Sequence, residues 1–443
     1  MNNSSLKFSR RSYLVLILFG LVGQIAWSVE NMYFNLFVFE TVAPDLDAIT
    51  LMVQLSGVVA TVVTLVAGAL SDKLGNRRRF IAYGYAIWGV TVALFGFLSP
   101  KLVGSLFSLD GARAVSVTLA LVIIGDCIMT LFGSTANDAG FNAWVTDNTD
   151  DSFRGRIEGV VAILPLIAML IVAGGFGMLV GAIGYKLLFL LLGIVISACG
   201  IIGIFVIKDA PSLAKSGSLK DVLYGFKPKT VKENIPLYLT LSVVLIYGIS
   251  TQIFMPYMII YMKTYLGFSV LEYSVVFGAA ILFGALVNLY LTRLSDRKDK
   301  NKLMYIGAAI MAAGLVGMYL SRFGSHVAKL LLFGIFGFVM IVGYIFVSAL
   351  TGARVRDLTP EGEVGKLQGV RMTFSVLIPM LIGPMIGNAI NRAANIPLPD
   401  MGSADTMTTA FIPAPEIFLT AALVMLLSLA VIPFLVKKSK KNK

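Results

Sequence analysis

Two runs of residues stand out for the chemistry they could do. Glu30-Asn31-Met32-Tyr33-Phe34-Asn35 sets a carboxylate and two amides inside an apolar stretch, with Gln24 and Trp27 just upstream. Asn137-Asp138-Ala139-Gly140-Phe141-Asn142 does the same further along, and Asp126 lies twelve residues before Asp138. Carboxylates and amides read hydroxyl groups in pairs, while an aromatic face such as Trp27 or Tyr33 can cover the apolar side of a ring. A charge in hydrocarbon costs at least about 2.5 kcal/mol, so it is kept for a partner, a cavity or an ion path. Glu30, Asn31, Asp126, Asp138 and Asn142 are therefore candidates for holding a polar solute, a coupling cation or a proton. Gln252 and Tyr257, on either side of Pro256, are uncharged candidates later in the chain. Plainer roles compete with each: for Glu30, hydration of an outer vestibule; for Asp138, a cap or ion-pair partner for loop arginines; for Gln252 and Tyr257, helix packing. Twelve residues of straight helix leave a net rotation of about 120°, so only one of Asp126 and Asp138 should face a central cavity. Asp138, with Asn137 and Asn142 beside it, is the favoured one.

Other chemistries lack their residues. The chain has one histidine, His326, and two cysteines, Cys127 and Cys199, which cannot build a metal-ligand cluster or a Cys/His pair. No Ser/His/Asp set and no phosphate-binding Gly-rich loop is evident. No catalytic residue, metal or cofactor is expected, and the chain does not read as an enzyme.

The elements that must position these residues are membrane spans. Of 443 residues, 57% are hydrophobic and only 14% charged, a composition far from that of soluble domains. A helix needs about 20 apolar residues to cross hydrocarbon. Twelve such runs lie near 13–38, 49–71, 80–98, 115–145, 157–182, 186–207, 236–262, 272–293, 303–321, 328–350, 366–390 and 415–436. The first reads as an uncleaved span, being long and carrying Glu30 and Asn31. With both termini placed in the cytoplasm, 29 of the 36 Lys and Arg fall on the inner side, which fixes the expected orientation in the cell membrane. The net charge of +12 is thus topological, and no nucleic-acid partner is implied.

The chain also repeats. Leu70-Ser71-Asp72-Lys73 returns as Leu294-Ser295-Asp296-Arg297, and the pattern from Asp147 to Val160 returns from Asp357 to Val370. Between the copies lies the longest polar passage, 209–235. The expected domains are therefore a bundle of six helices at 1–208, a cytoplasmic linker at 209–235 and a second bundle of six at 236–443. Two such halves in one orientation form a known transporter plan.

Gly68-Ala69-Leu70-Ser71-Asp72-Lys73-Leu74-Gly75-Asn76-Arg77-Arg78-Arg79 resembles the loop 2–3 signature of major facilitator superfamily transporters. The resemblance implies an all-α polytopic membrane protein, with twelve transmembrane helices in two six-helix bundles related by pseudo-two-fold symmetry. A cytoplasmic gate would involve Asp72, Arg77, Arg78, Asp296 and Arg371, and the Arg run would also grip lipid headgroups. Thr135 to Trp144, with the charged loop after it, is similar to the end of span four in the glycoside-pentoside-hexuronide:cation symporter family and related sugar symporters. That likeness implies that Asp138 contacts sugar hydroxyls and helps form a cation site. Ala60 and Thr64 stand where sodium users of that family carry carboxylates, which leaves proton coupling or uncoupled transport open. The expected activity is secondary transport of a small polar solute, a sugar or glycoside, by alternating access with a coupling proton or cation. A multidrug or lipid exporter of the same superfamily is the alternative. Small-molecule substrate and membrane lipids are the expected partners, and a monomer suffices.

Overall fold

The computed structural model describes residues 9–149, 154–210, 224–295, 299–360, 364–398 and 410–441. Nearly all of them are helical, as apolar runs in hydrocarbon must be, because a helix satisfies every backbone polar group within itself. The main helices are α1 (Arg10–Val29), α2 (Leu46–Leu74), α3 (Arg77–Phe95), α4 (Gly111–Gly133), α5 (Arg154–Ile171) and α6 (Gly177–Val206). The second half adds α7 (Ile235–Phe254), α8 (Val270–Ser295), α9 (Lys300–Leu320), α10 (His326–Leu358), α11 (Ile378–Ala394) and α12 (Glu416–Lys441). A two-residue antiparallel pair, Ile396–Pro397 with Phe411–Ile412, follows α11.

Each of the twelve expected runs falls on a helix, with two adjustments. The third run is α3, and after it the chain turns by 91° into a short helix, Pro100–Phe107. The fifth and sixth runs share one continuous helical stretch, Gly159–Val206, broken at Gly184. Gly184 has φ 76° and ψ 161°, a conformation that a side chain would strain, so glycine alone permits the break.

The contacts divide into two compact units, Met1–Phe37 with Val58–Asp221, and Val38–Gly57 with Val222–Lys443. In the first, α3 lies so close to α6 that a Cβ on Gly89 would stand 2.3 Å from the Gly193 carbonyl, and one on Gly200 2.3 Å from the Ala86 nitrogen. Phe34, Phe95 and Phe189 fill the space beside this seam, Phe34 stacking on Phe95 at 4.3 Å. In the second unit, Gly314 and Gly343 give α9 and α10 the same intimacy, each meeting backbone at 2.3 Å. Gly383 and Gly387 press α11 onto Gln252 and the Ile253 carbonyl of α7, as small-residue spacing predicts. Gly174, Gly175 and Gly181 do not follow that rule, since nothing lies within 4 Å of where their Cβ atoms would be. Gly174 and Gly175 sit instead in a wide helical turn, Val172–Phe176.

Candidate solute and coupling site

The polar residues of the first unit gather where two helices widen. Beyond Val29, α1 passes into a π-helical segment, Glu30–Phe34, and α4 passes into another, Ser134–Phe141. Such segments bond i to i+5 and concentrate at functional positions. Glu30 opens the first and is 8% exposed. Thr130 of α4, fully buried, donates its hydroxyl to Glu30 Oε1 at 3.1 Å. One turn before Thr130 is Asp126, also buried, and one turn after it is Ser134, whose hydroxyl donates to Asp138 Oδ2 at 3.0 Å. Each residue of a π turn rotates the chain by less than the 100° of an α-helix, so Asp138 comes round toward the side of Asp126 and Thr130. The straight-helix expectation that separates the two aspartates by about 120° is thereby relaxed.

Aromatic and amide groups frame this column. Trp27 lies beside Asp138, and its ring meets Trp88 at 5.0 Å with a tilt of 48°. Gly133 makes room for both indoles, for a Cβ there would be 2.8 Å from Trp88 and 3.0 Å from Trp27. Asn137 turns away from the column and donates to the Tyr85 hydroxyl at 2.6 Å, which in turn donates to the Phe19 carbonyl at 2.6 Å. Asn31 and Asn142 are exposed and bond their own helices, to the Trp27 carbonyl at 2.8 Å and the Asp138 carbonyl at 3.1 Å. Tyr33 is buried against Phe176, away from the exposed amides. The first unit therefore offers two buried carboxylates, Glu30 and Asp126, a partly exposed Asp138, and two exposed amides, one on each span.

Gln252 and Tyr257 belong to the second unit. Gln252 is half-buried against Gly383. Tyr257 is fully buried, its hydroxyl 2.7 Å from that of Thr50 and donating to the Pro384 carbonyl at 3.0 Å. Asp47 of the same unit takes Asn388 Nδ2 at 2.5 Å and Arg392 at 2.5 Å.

The loop after α2 forms a network of its own. Arg77, only 5% exposed, donates through Nε to Asp147 at 2.8 Å, through Nη1 to Ser71 at 2.5 Å and through Nη2 to Asp72. The Asp209 carboxylate caps α3 by accepting the backbone N–H groups of Arg77 and Arg78 at 3.0 and 2.9 Å. Arg78 is exposed and outside this network. Arg371 is partly buried before α11, and Asp296 lies outside the described residues. In the second unit Lys300 pairs with Asp357 at 2.6 Å, and Asp357 occupies the place in the sequence repeat that Asp147 occupies in the first.

The sequence matches the Major Facilitator Superfamily over residues 13–384 and again over 240–443. The chain belongs to that superfamily. Its fold is likewise that of superfamily transporters: a bacterial homologue of the human lysosomal transporter Spinster, crystallised inward-facing and unoccupied, superimposes with a TM-score of 0.69 at 12% identity, covering 100% of this chain and 99% of that one. A mutant of the nucleoside transporter NupG gives 0.65 at 13% identity, covering 95% of this chain and 99% of its own. No curated protein matches the sequence. As a major facilitator superfamily member the chain is a multi-pass membrane protein of a transporter family, with an all-helical fold.

Thr130 and Ser134 escape notice when the sequence is searched for charge alone. Their signal is the four-residue ladder Asp126, Thr130, Ser134, Asp138, every member polar in an otherwise apolar span. Asp147 and Ser71 already stand out in the repeat, but their hold on Arg77 shows only once the loop closes on them.

Proposed function

We propose that this superfamily member is a secondary active transporter of a small polar solute, a sugar or glycoside, coupled to a proton or cation and working by alternating access. The observation that carries this reading is the polar column of the first unit, Asp126–Thr130–Ser134–Asp138 with Glu30 against Thr130. Buried carboxylates in a span mark an ion or proton path, and a partly exposed carboxylate flanked by amides and an indole suits a hydroxylated ring. Glu30, held by a neutral donor, is assigned to coupling, and Asp138 with Asn31, Asn142 and Trp27 to the solute. The span-four likeness to sugar:cation symporters supports the same division. The Asp72–Arg77–Asp147 network is assigned to the cytoplasmic gate, the first half of the repeat from which both bundles are built.

Reconstituted protein should accumulate at least one labelled sugar from a panel when a proton gradient is imposed. Glu30→Gln should abolish accumulation against the gradient while leaving downhill exchange, and Asp138→Asn should lower both by roughly a hundredfold, the loss expected when a charge-assisted hydrogen bond worth about 2–3 kcal/mol is removed. Movement of lipophilic dyes with no sugar under either a proton or a sodium gradient would replace this reading with that of an exporter.

A further inference from the structure

The two copies of the repeat are not equal in length. Asp72 and Asp296 are 224 positions apart but Asp147 and Asp357 only 210, so the first half carries 14 more residues between its two motifs. Most of the surplus lies between the third and fourth spans: residues 96–110 connect α3 to α4, whereas 321–325 connect α9 to α10. These extra residues form an element of their own. Ser99 caps the short helix Pro100–Phe107 by accepting the Leu102 N–H at 3.3 Å, and proline takes the first helical position. Ser108 ends the helix in the left-handed region at φ 53°, the Leu109 N–H closes on the Gly104 carbonyl at 2.9 Å, and Gly111 at φ 48° turns the chain into α4.

The 19 residues of α3 make about 28 Å of helix, which already crosses a hydrocarbon layer of about 30 Å. The short helix is therefore not needed for crossing, and it leaves α3 at 91°. Leu102, Val103, Leu106 and Phe107 fall within an arc of about 140°, with Lys101 and Ser105 outside it. Val103 is buried where the helix packs on α4 and Gly104 approaches Ala114, but Leu106 is 68% exposed, Phe107 59% and Leu102 39%. A helix of eight residues is well short of the roughly 12–15 that stand alone in water, and one buried valine leaves most of its apolar face uncovered. Its position says what covers that face. The exposed apolar stripe of α3, Tyr83, Ile87, Val90 and Leu94, runs up to the bend, and there Lys186 Nζ lies 4.6 Å from the Phe97 ring centre, an aromatic and a basic group of the kind that mark a membrane surface. A stable protein interface takes about 20–30 residues a side, far more than this face supplies. We propose that the helix Pro100–Phe107 lies in the plane of the membrane interface, inserting Leu102, Leu106 and Phe107 at the boundary of headgroups and acyl chains and turning Lys101 and Ser105 to water. Held there, it fixes the level at which α4, the helix of Asp126 and Thr130, enters the bilayer.

The test is a spin-label depth measurement on full-length protein in phosphatidylcholine proteoliposomes, with Cys127 and Cys199 replaced by alanine and one cysteine introduced at a time. The positions are Lys101→Cys, Ser105→Cys, Leu106→Cys and Phe107→Cys, with Val90→Cys on the α3 stripe as the hydrocarbon reference. All five side chains are exposed, so the labels displace no packed group, and the readout needs no transported solute. Collision with oxygen, which favours hydrocarbon, relative to a water-soluble nickel chelate should be roughly fivefold higher at 106 and 107 than at 101 and 105, and lower than at 90. Equal, aqueous ratios at all four helix positions would place the helix in water and overturn the proposal. Labels at 106 and 107 shielded from both reagents would mean that protein covers the face, and ratios there matching that at 90 would mean that the helix dips into the hydrocarbon; either would overturn it.

Discussion

Thr130 ties span four to span one through a hydrogen bond to a carboxylate. Its hydroxyl is fully buried and reaches Glu30 at 3.1 Å, a neutral donor on a carboxylate inside an apolar run. A hydrogen bond to a charged group contributes about 1.5–3 kcal/mol. Thr130→Val keeps the shape and deletes the donor. Proton-driven uptake should fall by about tenfold, and Thr130→Ser, which restores a donor, should keep most of it. Uptake rates of the two variants against wild type check this, and an unchanged rate in Thr130→Val would take Glu30 out of the coupling step. Arg77 illustrates the opposite kind of residue, one whose role is to join. Its three donating nitrogens close on Asp72, Ser71 and Asp147, a geometry that a lysine, with one point of charge, cannot reproduce.

At the scale of the helix, what holds the first unit together is a seam of small residues. Gly89, Gly193 and Gly200 let α3 and α6 touch backbone to backbone, and dispersion between such close surfaces is the main force available where lipid is as apolar as leucine. Gly89→Val would drive two methyl groups into the Gly193 carbonyl and Ser197, and overpacking of this sort costs about 1–3 kcal/mol or more. Its melting temperature in detergent should drop by several degrees, whereas Gly181→Val, in open space, should melt as wild type does. The spans themselves were legible in the sequence because hydrocarbon imposes a length and a composition, and twelve runs met both. The wide turns at Glu30–Phe34 and Ser134–Phe141 were not legible, since a π segment has the same residues as the helix around it and differs only in which carbonyl each N–H finds. That hidden feature decides the candidate site, because it changes the side of span four on which Asp138 lies. Glu30, Asp126 and Asp138 could be picked out by charge; the partners Thr130 and Ser134 could not, being two of many hydroxyls in apolar runs.

Across the whole molecule, Asp147 and Asp357, which correspond in the sequence repeat, each form an ion pair, but the two pairs differ in depth. Arg77 with Asp147 is buried, at 5% and 23% exposure, while Lys300 with Asp357 stands at 30% and 58%. Buried pairs are costly to break, about 3–5 kcal/mol, and surface pairs contribute about 1 kcal/mol or less. Asp147→Asn should therefore destabilise the protein markedly and Asp357→Asn hardly at all, a contrast that thermal unfolding of the two variants measures directly. The superfamily's doubled plan is thus kept in connectivity and spent unequally in energy. The seam between α3 and α6 has a further consequence, for the order of biosynthesis. The third span leaves the ribosome about a hundred residues ahead of the helix whose backbone it must touch, as the positions of Gly89 and Gly193 show. Until then its glycine face has only lipid, or an insertion chaperone, to lie against, so the closing of this seam waits until α6 has emerged.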